Sequence, residues 1–161
     1  MIETMTKTGF EMVDYLPQHC LDILADGAAE PGLVADERTI KFAKEAGLRG
    51  DCKTGMLDGR PVSAGGFEMF WPGFAEIWMI CIAGIGKCHI DPAAAKGWIY
   101  DHIEKNRLWR VQTPLHADFP AGEQYVRWLG FEFEYRVPCY HIDGSDALMY
   151  SIINRQYLKG D

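Results

Sequence analysis

The chain has 161 residues, with 16 Lys and Arg against 23 Asp and Glu, for a formal net charge of −7 at pH 7. Hydrophobic residues make up 48% and charged residues 24%, the balance of a soluble globular chain, and residues 1–161 are expected to form a single domain with its own core. Clustered Lys and Arg are missing, which argues against nucleic acid as a partner and leaves room for a cationic one.

A first strand is expected over about residues 8–14. From Leu16 to Ala29, Leu16, Cys20, Ile23 and Leu24 recur at helical spacing, Pro17 is tolerable in a first turn, and Pro31-Gly32 breaks the pattern. Asp36 is a good N-cap for a second helix with Ile40, Phe42, Ala43 and Ala46 on its apolar side and Gly47 as its stop. Strands near 52–57 and 61–70 flank Asp58-Gly59, a pair that tolerates the positive φ of a tight hairpin. Residues 75–82 are almost wholly apolar, as in a central strand covered on both faces.

Residues 83–91 read as a loop. Asp91-Pro92 reads as the cap and first position of a helix reaching about Asn106, with Ala95, Trp98, Ile99, His102 and Ile103 toward the core. His102 is expected to be packed or half-exposed rather than catalytic. In the strand over 107–115, Trp109, Val111, Thr113 and Leu115 share a face, and Pro114 belongs where pairing stops because it cannot donate a ladder bond. A helix over 120–129 follows. Phe131, Phe133, Tyr135 and Val137 then alternate with Glu132, Glu134 and Arg136, and Asp143-Gly144 turns the chain into a last strand at about 146–153. The order predicts an α/β (α+β layer) fold, with a mixed central sheet of about six or seven strands and helices on both faces.

Cysteines stand at Cys20, Cys52, Cys81, Cys88 and Cys139, without a Cys-x-x-Cys pair, and read as reduced thiols in a cytoplasmic setting. Cys81, Cys88 and His89 lack zinc-site spacing, so no metal is expected. No apolar run has bilayer-spanning length, so no membrane partner is expected. The start, Met-Ile-Glu-Thr, does not resemble a signal peptide.

The element order, with Leu129-Gly130-Phe131 closing the last helix and Asp143-Gly-Ser-Asp-Ala-Leu-Met-Tyr150 in the last hairpin, resembles the GCN5-related N-acetyltransferase (GNAT) superfamily from about residue 8 to 153. Asp-Gly-Arg-Pro-Val (58–62), Trp-Pro-Gly-x-Ala-Glu-x-Trp (71–78), Asp-Phe-x-Ala-Gly (118–122) and Trp-Leu-Gly-Phe (128–131) are similar to small GNAT-like proteins of phages and prophages. That group is itself similar to the internal virion protein family of short-tailed coliphages.

The resemblance implies acetyl-CoA as co-substrate, its pantetheine arm lying between the splayed strands 75–82 and 107–115. Ile80, Ile82, Ala83, Gly84, Ile85, Gly86 and Lys87 would then hold the cofactor, with backbone amides near Met79 to Ala83 polarising the thioester. The family's pyrophosphate loop reads Gln/Arg-x-x-Gly-x-Gly/Ala. Here the place holds Ala83-Gly-Ile-Gly-Lys-Cys-His-Ile-Asp91, without Gln or Arg, and with Asp91 set to repel an anion. Phe119 stands where the family often has Asn. Val126 stands where it often has the Tyr that protonates the departing thiolate, and Tyr125, one residue off, reads as a core aromatic.

Glu76, on the central strand beside Trp78, is the first candidate base, and Glu68 the second. His116, after the second splayed strand, is a candidate to accept or relay a proton. Asp118 reads as a helix cap before Pro120, and Phe70, Trp71 and Phe74 read as core rather than as a binding surface. The activity implied is N-acyl transfer to a small-molecule or protein amine. The alternative is a non-catalytic phage virion or assembly protein that keeps the scaffold, located in the host cytoplasm or the virion and partnered by virion proteins. A third reading is a small protein acting on a host factor. Pairing of two copies through the C-terminal strands is expected from the resemblance.

Overall fold

The computed structural model describes residues 9–87 and 93–158. Strands β1 (Phe10–Asp14), β2 (Cys52–Leu57), β3 (Arg60–Trp71), β4 (Phe74–Cys81), β5 (Arg110–His116), β6 (Glu132–Val137) and β7 (Ala147–Ile153) form one sheet in the order β1-β2-β3-β4-β5-β7-β6. The β4–β5 pair is parallel and the other five are antiparallel. Helices α1 (Pro17–Asp26), α2 (Glu37–Arg49), α3 (Ala93–Lys105) and α4 (Pro120–Trp128) complete the described fold.

Strand alternation divides the core into two layers. Ala75 and Ile77 of β4, with Val111 and Leu115 of β5, face Ile99 and Ile103 of α3 and Val126 of α4. On the other side Ile80 of β4 and Ala64 of β3 meet Cys20, Ile23 and Leu24 of α1 and Ala43 and Ala46 of α2. A central strand that must satisfy both layers is apolar on both faces, which is why residues 75–82 show so little polar alternation.

Local signals act largely as expected. Asp58 and Gly59 take φ of 51° and 79° in the β2–β3 turn. Asp36 accepts the Arg38 and Thr39 backbone N–H groups, each at 3.0 Å, and so caps α2.

Several boundaries differ. Helix α1 ends at Asp26, not Ala29, because Gly27 at φ 96° turns the chain toward β4. Helix α2 continues through Gly47 to Arg49. A Cβ at Gly47 would lie 3.2 Å from the Tyr15 ring, so a small residue there lets α2 approach that ring. Asp118 does not cap α4; Phe119 holds that position, without a side-chain cap. Strand β6 is the outer edge, and Phe133 and Tyr135 are 48% and 50% exposed although their alternation predicts a buried face. The expected Asp91-Pro92 cap, Cys88, His89 and the start of the first strand at residue 8 lie outside the described residues.

Candidate functional site

The parallel pairing of β4 and β5 covers Phe74↔Arg110, Ala75↔Val111 and Glu76↔Gln112 and stops there. Strand β4 then runs on to Cys81 and β5 to His116, so the two diverge into a wedge with its closed end at Glu76 and Gln112. Pro114, with no N–H to donate, lies two residues beyond the last rung while still opposite Met149 of β7.

Along β4, backbone groups of successive residues point to opposite edges. The Ile82 N–H bonds to the Val62 carbonyl at 3.0 Å, and Ile80 is in register with Ala64, so residues 80 and 82 turn their backbone to β3. The backbone of Ile80 and Ile82, two residues expected to hold the cofactor, is thus turned away from β5. The edge facing the wedge belongs to Met79, Cys81 and Ala83. Part of it is occupied by the loop after α1: the Ala29 N–H donates to the Cys81 carbonyl at 2.8 Å and the Ala83 N–H to the Gly27 carbonyl at 3.0 Å.

Beyond Cys81, Gly84 takes φ 76° and Ile85–Lys87 form one tight 3-10 turn before α3. A Cβ placed on Gly84 or Gly86 would meet no heavy atom of the described residues within 4 Å.

At the closed end, Gln112 Nε2 donates to Glu76 Oε2 at 3.0 Å. Burial pushes the Glu76 carboxyl up from the ordinary range; the Gln112 bond pulls it back and nearby Glu68 pushes it further up. Glu68, opposite Glu76 on β3, is paired with Arg49 at 3.2 Å.

At the wide end, the buried His116 donates its backbone N–H to Glu30 Oε1 at 3.1 Å. Its ring Nδ1 accepts the Asp118 N–H at 3.1 Å, which leaves the proton of the neutral ring on Nε2. The His116 ring stacks on His141 with centroids 5.2 Å apart, and Tyr140 meets His141 edge-on at 5.1 Å. Burial raises the Glu30 carboxyl, partly offset by the His116 N–H and both imidazoles. Glu30, His141 and Tyr140 carry no sequence signal for chemistry. They sit in loops, and only the fold brings residues 30, 116 and 141 together.

Tyr125, expected as a core aromatic, is half-buried and packs against the core. Val126 occupies the core at 6% exposure, while Tyr125 borders a cavity of about 60 Å³ beside Ile77 and Met79 of β4 and Trp98 of α3. Burial, with a smaller contribution from Cys81, pushes the Tyr125 hydroxyl up to about 12. Phe70 and Trp71 are 45% and 57% exposed and cluster with Phe74 near the closed end of the wedge, correcting their assignment to the core. His102 is packed, stacked on Phe67 at 4.1 Å with Nδ1 3.2 Å from Asp51. Among the described residues no group of His, Cys, Asp and Glu has the arrangement of a metal site. No helix among them is long and apolar enough to cross a membrane.

No protein-family model and no curated protein matches the chain. Solved structures do. Ard1 from Thermoplasma volcanium superposes with a TM-score of 0.72 at 13% identity, over 90% of this chain and 97% of that one. The ribosomal-protein-S18-alanine N-acetyltransferase from Escherichia coli gives 0.68 at 16% identity, over 89% and 93%. A Bacillus subtilis acetyltransferase in complex with CoA gives 0.61 at 13% identity, over 92% and 99%. The fold of this chain is that of the GNAT acetyltransferases.

Proposed function

We propose that this protein is a GNAT-type N-acyltransferase that moves the acetyl group of acetyl-CoA to an amine by direct attack. The observation that carries the reading is the wedge between β4 and β5, open from Glu76 and Gln112 outward. It is a slot for an extended arm within a fold whose relatives include a CoA complex.

Acetyl-CoA supplies an acyl group already activated as a thioester. The turn from Gly84 to Lys87 receives its phosphates, and the wedge-facing amides at Met79 to Ala83 receive the arm and polarise the carbonyl. An arm that reaches Cys81 and Ala83 replaces the two bonds now made by Gly27 and Ala29. Glu76, held by Gln112, takes a proton from the amine as the N–C bond forms and the C–S bond breaks. Tyr125, whose hydroxyl stays protonated at neutral pH, returns a proton to the departing sulfur. His116 relays protons at the wide end, where its Nε2–H is a donor rather than the primary base. The acceptor is a small-molecule or protein amine.

The Gly27 and Ala29 bonds favour a second reading, a GNAT-like scaffold whose own loop fills the cofactor edge, as in a non-catalytic virion or assembly protein. Titration with acetyl-CoA by calorimetry and thermal shift separates the two. A ligand at about 100 times its dissociation constant stabilises the fold by about 2.7 kcal/mol. A shift that Lys87→Ala abolishes supports the acyltransferase with phosphates on residues 84–87. Absence of binding at millimolar acetyl-CoA selects the scaffold.

A further inference from the structure

The strip of surface between Glu76 and Glu30 has a polarity and a length that select an acceptor. On β5, Gln112, Pro114 and His116 share the face on which Glu76 meets Gln112. From Gln112 to His116 the strand advances about 13 Å at ~3.3 Å per residue. At its wide end Tyr140 touches His141, His141 stacks on His116, and His116 bonds Glu30, while the Glu76 charge acts on Tyr140 from the closed end. Asp143, hydrogen-bonded by the Ser145 N–H at 2.9 Å, lies within reach of both imidazoles.

Two features mark the wide end as short of a cationic partner among the described residues. Other carboxylates of the protein are paired with cations, as Glu134 is with Arg110 and Asp146 with Arg136. Among the described residues no Lys or Arg pairs with Glu30, Glu76 or Asp143. The His141 Nε2 atom is buried and has no hydrogen-bond partner among them. A buried polar atom left unbonded costs stability, which a bound ligand can recover.

We propose that the acceptor is an extended molecule with two amino nitrogens, one reacting as the free amine at Glu76 and the other held as an ammonium by Glu30 and His141 beside the His116 ring. Glu30 accepts from the distal ammonium, His141 Nε2 takes a second of its hydrogens, and the Tyr140 ring covers the alkyl stretch between. A linear diamine or triamine that spans about 13 Å fits this strip. A monoamine of equal length leaves Glu30 and His141 unsatisfied.

This inference rests on the acyltransferase reading, so binding and turnover are measured separately. Calorimetry on the whole protein with CoA present compares linear diamines of increasing length with the monoamine of each length. The expected result is a preference for the diamine of about tenfold once the chain spans the strip, absent for short diamines. The preference disappears in Glu30→Gln and in His141→Ala and persists in Glu104→Gln, which removes an equal charge from the exposed side of α3. Equal binding of diamine and monoamine at every length overturns the proposal, as does a preference that survives Glu30→Gln with circular dichroism unchanged. Acetyl-CoA consumption with the preferred diamine is then assayed. Its absence alongside a Glu30-dependent diamine preference counts against the transfer reaction and leaves the two-nitrogen site standing.

Discussion

Glu76 and Gln112 are the last paired residues of β4 and β5, and their side chains are joined by a 3.0 Å hydrogen bond from Gln112 Nε2 to Glu76 Oε2. The position that ends the parallel ladder therefore also carries an oriented carboxylate with an elevated pKa. In the proposed reaction the Glu76 carboxylate is the base, so kcat/KM should fall as pH drops through this raised pKa, above the ordinary Glu range. Glu76→Gln should lower kcat by about 100-fold or more. Gln112→Ala removes the bond that favours the charged form, so the acidic limb of the pH profile should move to higher pH. A limb that stays in place shows that another group supplies the base.

The pairing of Ala29 with Cys81 and of Ala83 with Gly27 gives a prediction for cofactor entry. The amides of Ala29 and Ala83 are hydrogen-bonded in the free protein and should be protected from hydrogen exchange. With saturating acetyl-CoA, the Ala29 amide should exchange faster while Ala83 stays protected by its new partner. Unchanged protection at both, together with measurable binding, places the arm elsewhere.

Tyr125→Phe removes the hydroxyl and keeps the ring beside Ile77 and Trp98. It should reduce kcat by about 10- to 100-fold with little change in melting temperature. An equal rate for an acyl donor with a much better leaving group would show that the proton goes to the departing sulfur. A large loss of stability without a specific loss of kcat would assign the residue to packing.

Asp36 tests the α2 cap independently of the site. Hydrogen bonds from the Thr39 N–H and from the Arg38 side chain hold its carboxyl down to about 2, from 3.8. A depressed carboxylate pKa stabilises the fold above 3.8, and that contribution fades as pH falls toward about 2. Asp36→Ala should therefore melt below the wild type at neutral pH, and the gap should narrow progressively through that acid window. A gap independent of pH would mean that the cap acts through shape rather than charge.

The sequence by itself determined the parts of this protein that depend on local or periodic preference. Asp58-Gly59 closes its hairpin because both residues accept positive φ, Asp36 caps α2 because its carboxylate reaches two free N–H groups, and Phe74–Cys81 forms the central strand because it is largely apolar on both faces. Glu76 and His116 stand out as titratable groups at the ends of such segments. Only the tertiary structure decided which backbone edge of β4 faces β5, and so that Met79, Cys81 and Ala83, not Ile80 and Ile82, border the wedge. It also decided that Gly27 and Ala29 fill part of that edge, that β6 lies outside the core, and that Glu30 and His141 meet His116. The physical reason is range: caps and turns involve residues a few positions apart, whereas register and loop convergence join segments tens of residues apart, through bonds that leave no periodic trace in the chain.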